Sequence, residues 1–89
     1  MKHILIIDDE RALRMMVRAI LEDAGWRVNE AASAEEALDV LDGPDGGGVR
    51  VILLDVGLPG MTGHELLPKL RERRPDVPVV MLTAYGTVG

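Results

Sequence analysis

Four side chains of this 89-residue sequence stand where apolar runs stop, and their types suit one piece of chemistry. Asp8 and Asp9 follow the run His3 to Ile7, Asp55 closes VRVILLD, and Thr83 closes VVMLT. Carboxylates brought together repel one another and raise one another's pKa values, a cost that a hard divalent cation with oxygen ligands offsets. Mg2+ suits such a set because it takes one or two carboxylates, keeps several waters and leaves positions for phosphate oxygens, whereas Ca2+ wants more protein ligands. A carboxylate can also attack phosphorus to form an aspartyl phosphate, with the metal neutralising charge and a hydroxyl touching the equatorial oxygens. On that chemistry Asp55 is the expected nucleophile and Thr83 the expected hydroxyl.

For these residues to meet, the strands they end must lie side by side and point the same way. The run His3 to Ile7 is apolar and β-branched, which fits a strand buried on both faces. From Arg11 to Ala24 the residues Leu13, Met16, Val17, Ile20, Leu21 and Ala24 recur at spacings of three and four, and Gly25 supplies a stop. Trp26 to Ala31 reads as a second strand, and Ser33 with Glu36 predicts a capping box for a helix with Ala34, Ala37, Leu38 and Leu41 inward. After VRVILLD, Thr62 with Glu65 predicts a second capping box, for a helix carrying Leu66, Leu67 and Leu70 and bent at Pro68. Pro75 and Pro78 mark the turn into VVMLT, a fourth strand. Strands alternating with helices predict an α/β fold with right-handed crossovers and a parallel sheet. Its ligand site lies outside the carboxyl ends of the strands, where the strand order switches.

Composition narrows the function classes. Hydrophobic residues make up 47% of the chain, enough for burial to drive folding. A net charge of -5 and a pI near 4.8 argue against nucleic-acid binding and against binding an anionic membrane. There is no cysteine, which excludes disulfides and thiolate metal sites. No apolar run approaches the roughly 20 residues of a spanning helix, and the start MKHILIIDDE turns acidic where a signal peptide stays apolar, so a soluble cytoplasmic protein is expected. GPDGGG, from Gly43 to Gly48, reads as a flexible surface loop outside any dinucleotide-binding pattern. His3 and His64 lack paired ligands at useful spacing, and the run RERR reads as a solvated face near a helix end.

LIIDDE, ILLDVGLPGMTG and VVMLTAYG, in this order and at this spacing, resemble the receiver domains of two-component response regulators over the whole chain. The resemblance implies a CheY-like, flavodoxin-like parallel sheet with helices on both faces. It implies that Asp8, Asp9 and Asp55 hold Mg2+ together with the backbone carbonyl of Gly57, and that Asp55 takes phosphate from a sensor histidine kinase. By the same resemblance Thr83 is expected to contact the phosphate, Ala84 matches the small residue usual after it, Tyr85 stands where the family tunes phosphate stability and access, and Pro59 and Gly63 are expected to shape the loop after Asp55. The implied protein is a signalling module that accepts phosphate on itself, not an enzyme with turnover.

A complete receiver continues through a fourth helix, a fifth strand and a fifth helix, so residues 1–89 are expected to form one C-terminally truncated, incomplete receiver domain. The family's lysine after the fifth strand has no counterpart, since Lys2 and Lys69 are the only lysines and neither falls on the acidic rim. In the strand order two, one, three, four, five, loss of the last strand leaves VVML on an open edge and uncovers a sheet face, which predicts self-association there as a dimer. Two other readings stay open. One is a phosphorylation-impaired receiver fragment that acts only through self-association. The other is a phosphatase of the haloacid-dehalogenase type, which wants a second aspartate two positions after the nucleophile, where this chain has Gly57.

Overall fold

The apolar runs and the amphipathic segments alternate in space as they do in sequence. The computed structural model describes residues 2–82; Thr83, Ala84 and Tyr85, which the sequence singles out, lie outside the described residues. The elements are β1 (His3–Ile7), α1 (Arg11–Asp23), β2 (Arg27–Ala31), α2 (Ala34–Asp42), a 3-10 turn at Gly46–Gly48, β3 (Val51–Asp55), α3 (Gly63–Arg73) and β4 (Val79–Leu82). All strand pairs are parallel and the order is β2-β1-β3-β4, the flavodoxin-like arrangement for these strands. The register sets Ile7 beside Ala31 and Leu54, and Asp55 beside Leu82.

Strand alternation sends side chains to two cores. Leu5, Ile7, Ile52 and Leu54 pack with Ala37 and Leu41 of α2 and with Leu66 and Leu70 of α3. Ile4, Ile6 and Val28 face the other way, against Val17 and Leu21 of α1 and Trp26. Helices thus lie on both faces, and all five residues of β1 are buried. This is why β1 reads as a continuous apolar run instead of an alternating one. Burying each of its large aliphatic side chains contributes about 1.5–3 kcal/mol, which fixes the strand that carries Asp8.

Local signals set the element ends. Gly25, at φ +92°, closes α1 in a Schellman motif, with its own N–H donating to the Glu22 carbonyl at 3.0 Å and Trp26 N–H donating to the Leu21 carbonyl at 2.9 Å. At α3 the capping box is complete: Glu65 N–H donates to Thr62 Oγ1 at 3.2 Å, and Thr62 N–H donates to Glu65 Oε1 at 3.1 Å. At α2 only half of it forms, because Ser33 Oγ accepts from Glu36 N–H while the Glu36 carboxylate turns to the N–H of Ala32. α3 is continuous through Pro68. Pro68 and His64, whose carbonyl loses its helical donor there, are both exposed, so solvent can serve that oxygen.

Two segments differ from the sequence reading. GPDGGG is not a featureless loop: Gly46 is buried, and a Cβ on it would come 2.0 Å from the Leu41 carbonyl oxygen. Arg74, expected on a solvated face with the rest of RERR, instead donates to the carbonyls of Gly46 and Val49 and pins that turn. His3, the first residue of central strand β1, is buried with Nε2 against the Asn29 side chain.

Candidate functional site

Asp8 directly follows β1, and Asp55 is the last residue of β3. β1 and β3 are neighbours, and β2 and β4 lie to either side of them, so the crossovers diverge and leave a crevice between the carboxyl ends of β1 and β3. One carboxylate oxygen from each of Asp8, Asp9 and Asp55 lies within 4.8 Å of the others. Asp8 is buried, Asp55 half-buried and Asp9 exposed, so the cluster runs from the protein interior to solvent.

The backbone aims the two inner carboxylates in the same way. Glu10 N–H donates to Asp8 Oδ1 at 2.8 Å, and Gly57 N–H donates to Asp55 Oδ1 at 3.0 Å. Each is a side chain bonded to the amide two residues on, the Asx pattern that Asp favours in turns. Among the described residues, Oδ2 of both side chains takes no hydrogen bond. Asp8 is held further through its main chain, whose N–H donates to the Ala31 carbonyl at 3.0 Å and whose carbonyl accepts from Arg14 Nη1. Arg14 Nε in turn donates to Glu30 Oε1 at 2.9 Å.

α3 begins hard against the main chain of Asp55. Gly63 N–H donates to the Val56 carbonyl at 3.0 Å, and a Cβ on Gly63 would lie 2.8 Å from both the Asp55 carbonyl oxygen and Val56 Cα. Both neighbours are backbone and cannot swing away. Gly63→Ala is therefore expected to destabilise the fold by about 1–3 kcal/mol, read from urea denaturation. An unchanged midpoint would show that the loop yields instead.

Burial pushes the Asp8 carboxyl above the usual carboxylate range. The Glu10 N–H bond pulls it partly back, and the neighbouring carboxylates of Asp55, Asp9 and Glu10 add to the rise. A desolvated set of hard oxygen donors that repel one another fits a hard divalent cation.

The structure thus brings Asp8, Asp9 and Asp55 together and gives Gly57 an amide contact to Asp55. Thr83 lies outside the described residues. Lys2 sits at the opposite, amino-terminal rim, where its carbonyl accepts from Arg27 N–H, and Lys69 is exposed on α3. The sequence reading missed the Arg14 contact, because its partners come from the end of β1 and from β2, and no local pattern pairs an arginine with either.

Comparison with known proteins agrees with the geometry. The family model described as "Response regulator receiver domain" matches residues 4–89. The response regulator protein FleR of Pseudomonas aeruginosa is 40% identical over 85 residues, which is 96% of this chain and 17% of that protein. The chain thus spans less than a fifth of that relative. Among solved structures, a CheY-like receiver domain from Methanospirillum hungatei aligns with a TM-score of 0.87 and 36% identity, over 99% of this chain and 68% of that one. TrrA of Thermotoga maritima, solved in complex with Mg(2+)-BeF, gives 0.83 and 32% over 96% of this chain and 71% of that one. The structure of histidine kinase ThkA in complex with TrrA gives 0.84 and 32%, over 99% of this chain and 73% of the matched one.

Proposed function

The chain belongs to the receiver domains of two-component response regulators, and on that premise we propose that it takes a phosphoryl group on Asp55 from a sensor histidine kinase. Mg2+ is held by Asp8, Asp9, Asp55 and the backbone carbonyl of Gly57. The observation that carries this reading is the meeting of the three carboxylates at the carboxyl ends of two adjacent parallel strands. The solved complexes of TrrA with Mg(2+)-BeF and with the histidine kinase ThkA support the ion and the donor class by similarity.

In this reading the bound cation supplies neutralisation of phosphate charge. The protein's own part is positional and nucleophilic. Gly57 N–H holds Asp55 Oδ1, leaving Oδ2 to attack. The new O–P bond forms as the bond from phosphorus to the donor imidazole nitrogen breaks, and the imidazole, already protonated on its other ring nitrogen, takes the electron pair and leaves neutral. Thr83 is assigned the phosphate-contacting hydroxyl because it follows Leu82, which stands opposite Asp55 in the sheet. The chain is an acceptor in this scheme, and we place it in the cytoplasm as part of the same proposal. Among the described residues no helix is long and apolar enough to cross a membrane.

The test is incubation with acetyl phosphate, with and without Mg2+, read by intact mass. One phosphate gained only with metal supports the proposal. No incorporation by a protein that binds Mg2+ rejects it in favour of the phosphorylation-impaired fragment.

One observation favours self-association as an additional property. Val79 and Met81 pack against the core, whereas Val80 and Leu82, on the other face of β4, are 48% and 41% exposed. An exposed apolar face of this kind can be covered by a second copy. Light scattering is expected to give a mass that rises toward the dimer with concentration, and Val80→Lys to return it to the monomer. A monomer mass across the whole range rules the dimer out.

A further inference from the structure

The rim that carries Asp8 is braced from below by a charged link that neither the metal nor the phosphoryl chemistry uses directly. Glu30 projects from β2 and bonds two guanidinium groups of α1: Oε1 accepts from Arg14 Nε at 2.9 Å and Oε2 from Arg18 Nη1 at 2.7 Å. Only Arg14 reaches onward, its Nη1 donating to the Asp8 carbonyl at 2.5 Å. Its side chain is 12% exposed, so the link is largely shielded from water. Arg18 is 42% exposed and shares itself with Glu22.

β1 ends at Ile7, so the Asp8 carbonyl lies past the last β1–β3 pair, Ile7 with Leu54. The Asp8 N–H is held by the Ala31 carbonyl, but a carbonyl without a donor leaves ψ of Asp8 free, and with it the placement of the following turn, whose Glu10 N–H holds Asp8 Oδ1. Arg14 removes that freedom, since its guanidinium is itself fixed on a neighbouring strand. The contact is to the main chain, and Glu30 already neutralises the guanidinium, so the effect on the carboxylate is one of aim and not of charge.

We propose that Arg14 is a positioning residue for the cation site: by bridging Glu30 of β2 to the Asp8 carbonyl, it holds the Asp8 carboxylate in the orientation that binds Mg2+. The inference rests on the reading of Asp8 as a metal ligand. Partners that orient a ligand from behind typically matter 10–100-fold for metal affinity.

The experiment is isothermal titration of Mg2+ into the whole chain as wild type, Arg14→Met, Arg14→Lys and Arg18→Met, with apo melting curves for each. Arg14→Met is expected to weaken Mg2+ binding about tenfold, and Arg14→Lys, which keeps a donor but cannot span both partners, by less. Arg18→Met loses an ion pair to the same glutamate without touching Asp8, so it is expected to lower the melting point while leaving Mg2+ affinity within about twofold of wild type. Equal affinity in Arg14→Met and wild type overturns the proposal. So does equal weakening in Arg14→Met and Arg18→Met, which marks general loosening of α1. A wild type that binds no Mg2+ overturns the metal reading itself and this inference with it, a result separate from the other two.

Discussion

Asp55→Asn is expected to take up no phosphate from acetyl phosphate under conditions in which wild type gains one. The amide oxygen of Asn is a poor nucleophile, yet it can still accept the hydrogen bond that Gly57 N–H gives Asp55 Oδ1. The loop geometry therefore survives the change. Stability is not expected to fall either, because one of the carboxylates that push Asp8 upward is removed. Loss of phosphate uptake in this variant is thus a loss of chemistry and not of fold, which an apo melting curve verifies. The informative competitor is Asp9, the exposed carboxylate of the same cluster. If Asp55→Asn still gains phosphate and peptide mapping finds it on Asp9, the nucleophile has been assigned to the wrong strand end. The half-buried position of Asp55 at the end of β3 argues against that outcome. Its backbone is fixed on one side by Val56 N–H donating to the Leu82 carbonyl at 2.8 Å, and on the other by the close approach of Gly63. Among the described residues no hydrogen bond outside a regular element fixes Asp9 in this way.

The parts of this fold that were legible in the sequence are those with local causes. β1 and β3 read as strands because both of their faces are covered, and their acidic ends mark where burial stops. The helix ends read as ends because Gly25 can take a positive φ and because Thr62 and Glu65 lie at the spacing of a capping box. Ser33 and Glu36 have the same spacing, but there the glutamate finds Ala32 N–H instead, a choice set by the chain entering α2. What escaped the sequence reading depends on partners far along the chain. Arg74 is one of several arginines in its run until its carbonyl acceptors, 28 and 25 residues earlier, are known. His3 shows no partner in the sequence until Asn29, 26 residues on, is seen beside it. The need for glycine at position 63 also comes from the main chain of Asp55 and Val56, which the sequence places eight and seven residues away with nothing to say that they touch. In the site itself the three carboxylates were legible, while the link that aims one of them, through Arg14 and Glu30, was not.

Asp8→Asn is expected to raise the stability of the metal-free protein and at the same time to remove most of its affinity for Mg2+. The Asp8 side chain is buried, and burial, followed by the repulsion of Asp55, Asp9 and Glu10, lifts its carboxyl above the ordinary aspartate value of 3.8. Asn keeps an oxygen for Glu10 N–H and carries no charge, so the cost of holding a desolvated anion disappears while the hydrogen bond stays. The sign in pH follows from linkage. A carboxyl with a raised folded-state pKa binds its proton more tightly in the native chain than in the unfolded one. Its stabilising contribution is therefore fully present below the unfolded value and is lost as pH rises through the folded value. Urea denaturation without metal should show wild type losing stability relative to Asp8→Asn as pH climbs from below 3.8 toward neutrality, after which the gap is constant. For a domain of this size each kcal/mol of that gap corresponds to roughly 4–8 °C in Tm. Adding Mg2+ at neutral pH reverses the order. Wild type gains about 2.7 kcal/mol when the ion is at a hundred times its Kd, whereas the variant, missing a ligand and not merely a ligand's support, binds more than about 100-fold more weakly and gains little. A variant that is less stable than wild type at neutral pH without metal would show that the carboxylate is retained for structure. A variant that Mg2+ stabilises as much as wild type would remove Asp8 from the ligand set. If both expectations hold, the repulsion stored at the ends of β1 and β3 is the property that makes the cation bind there, because folding without it leaves the negative charges to face one another.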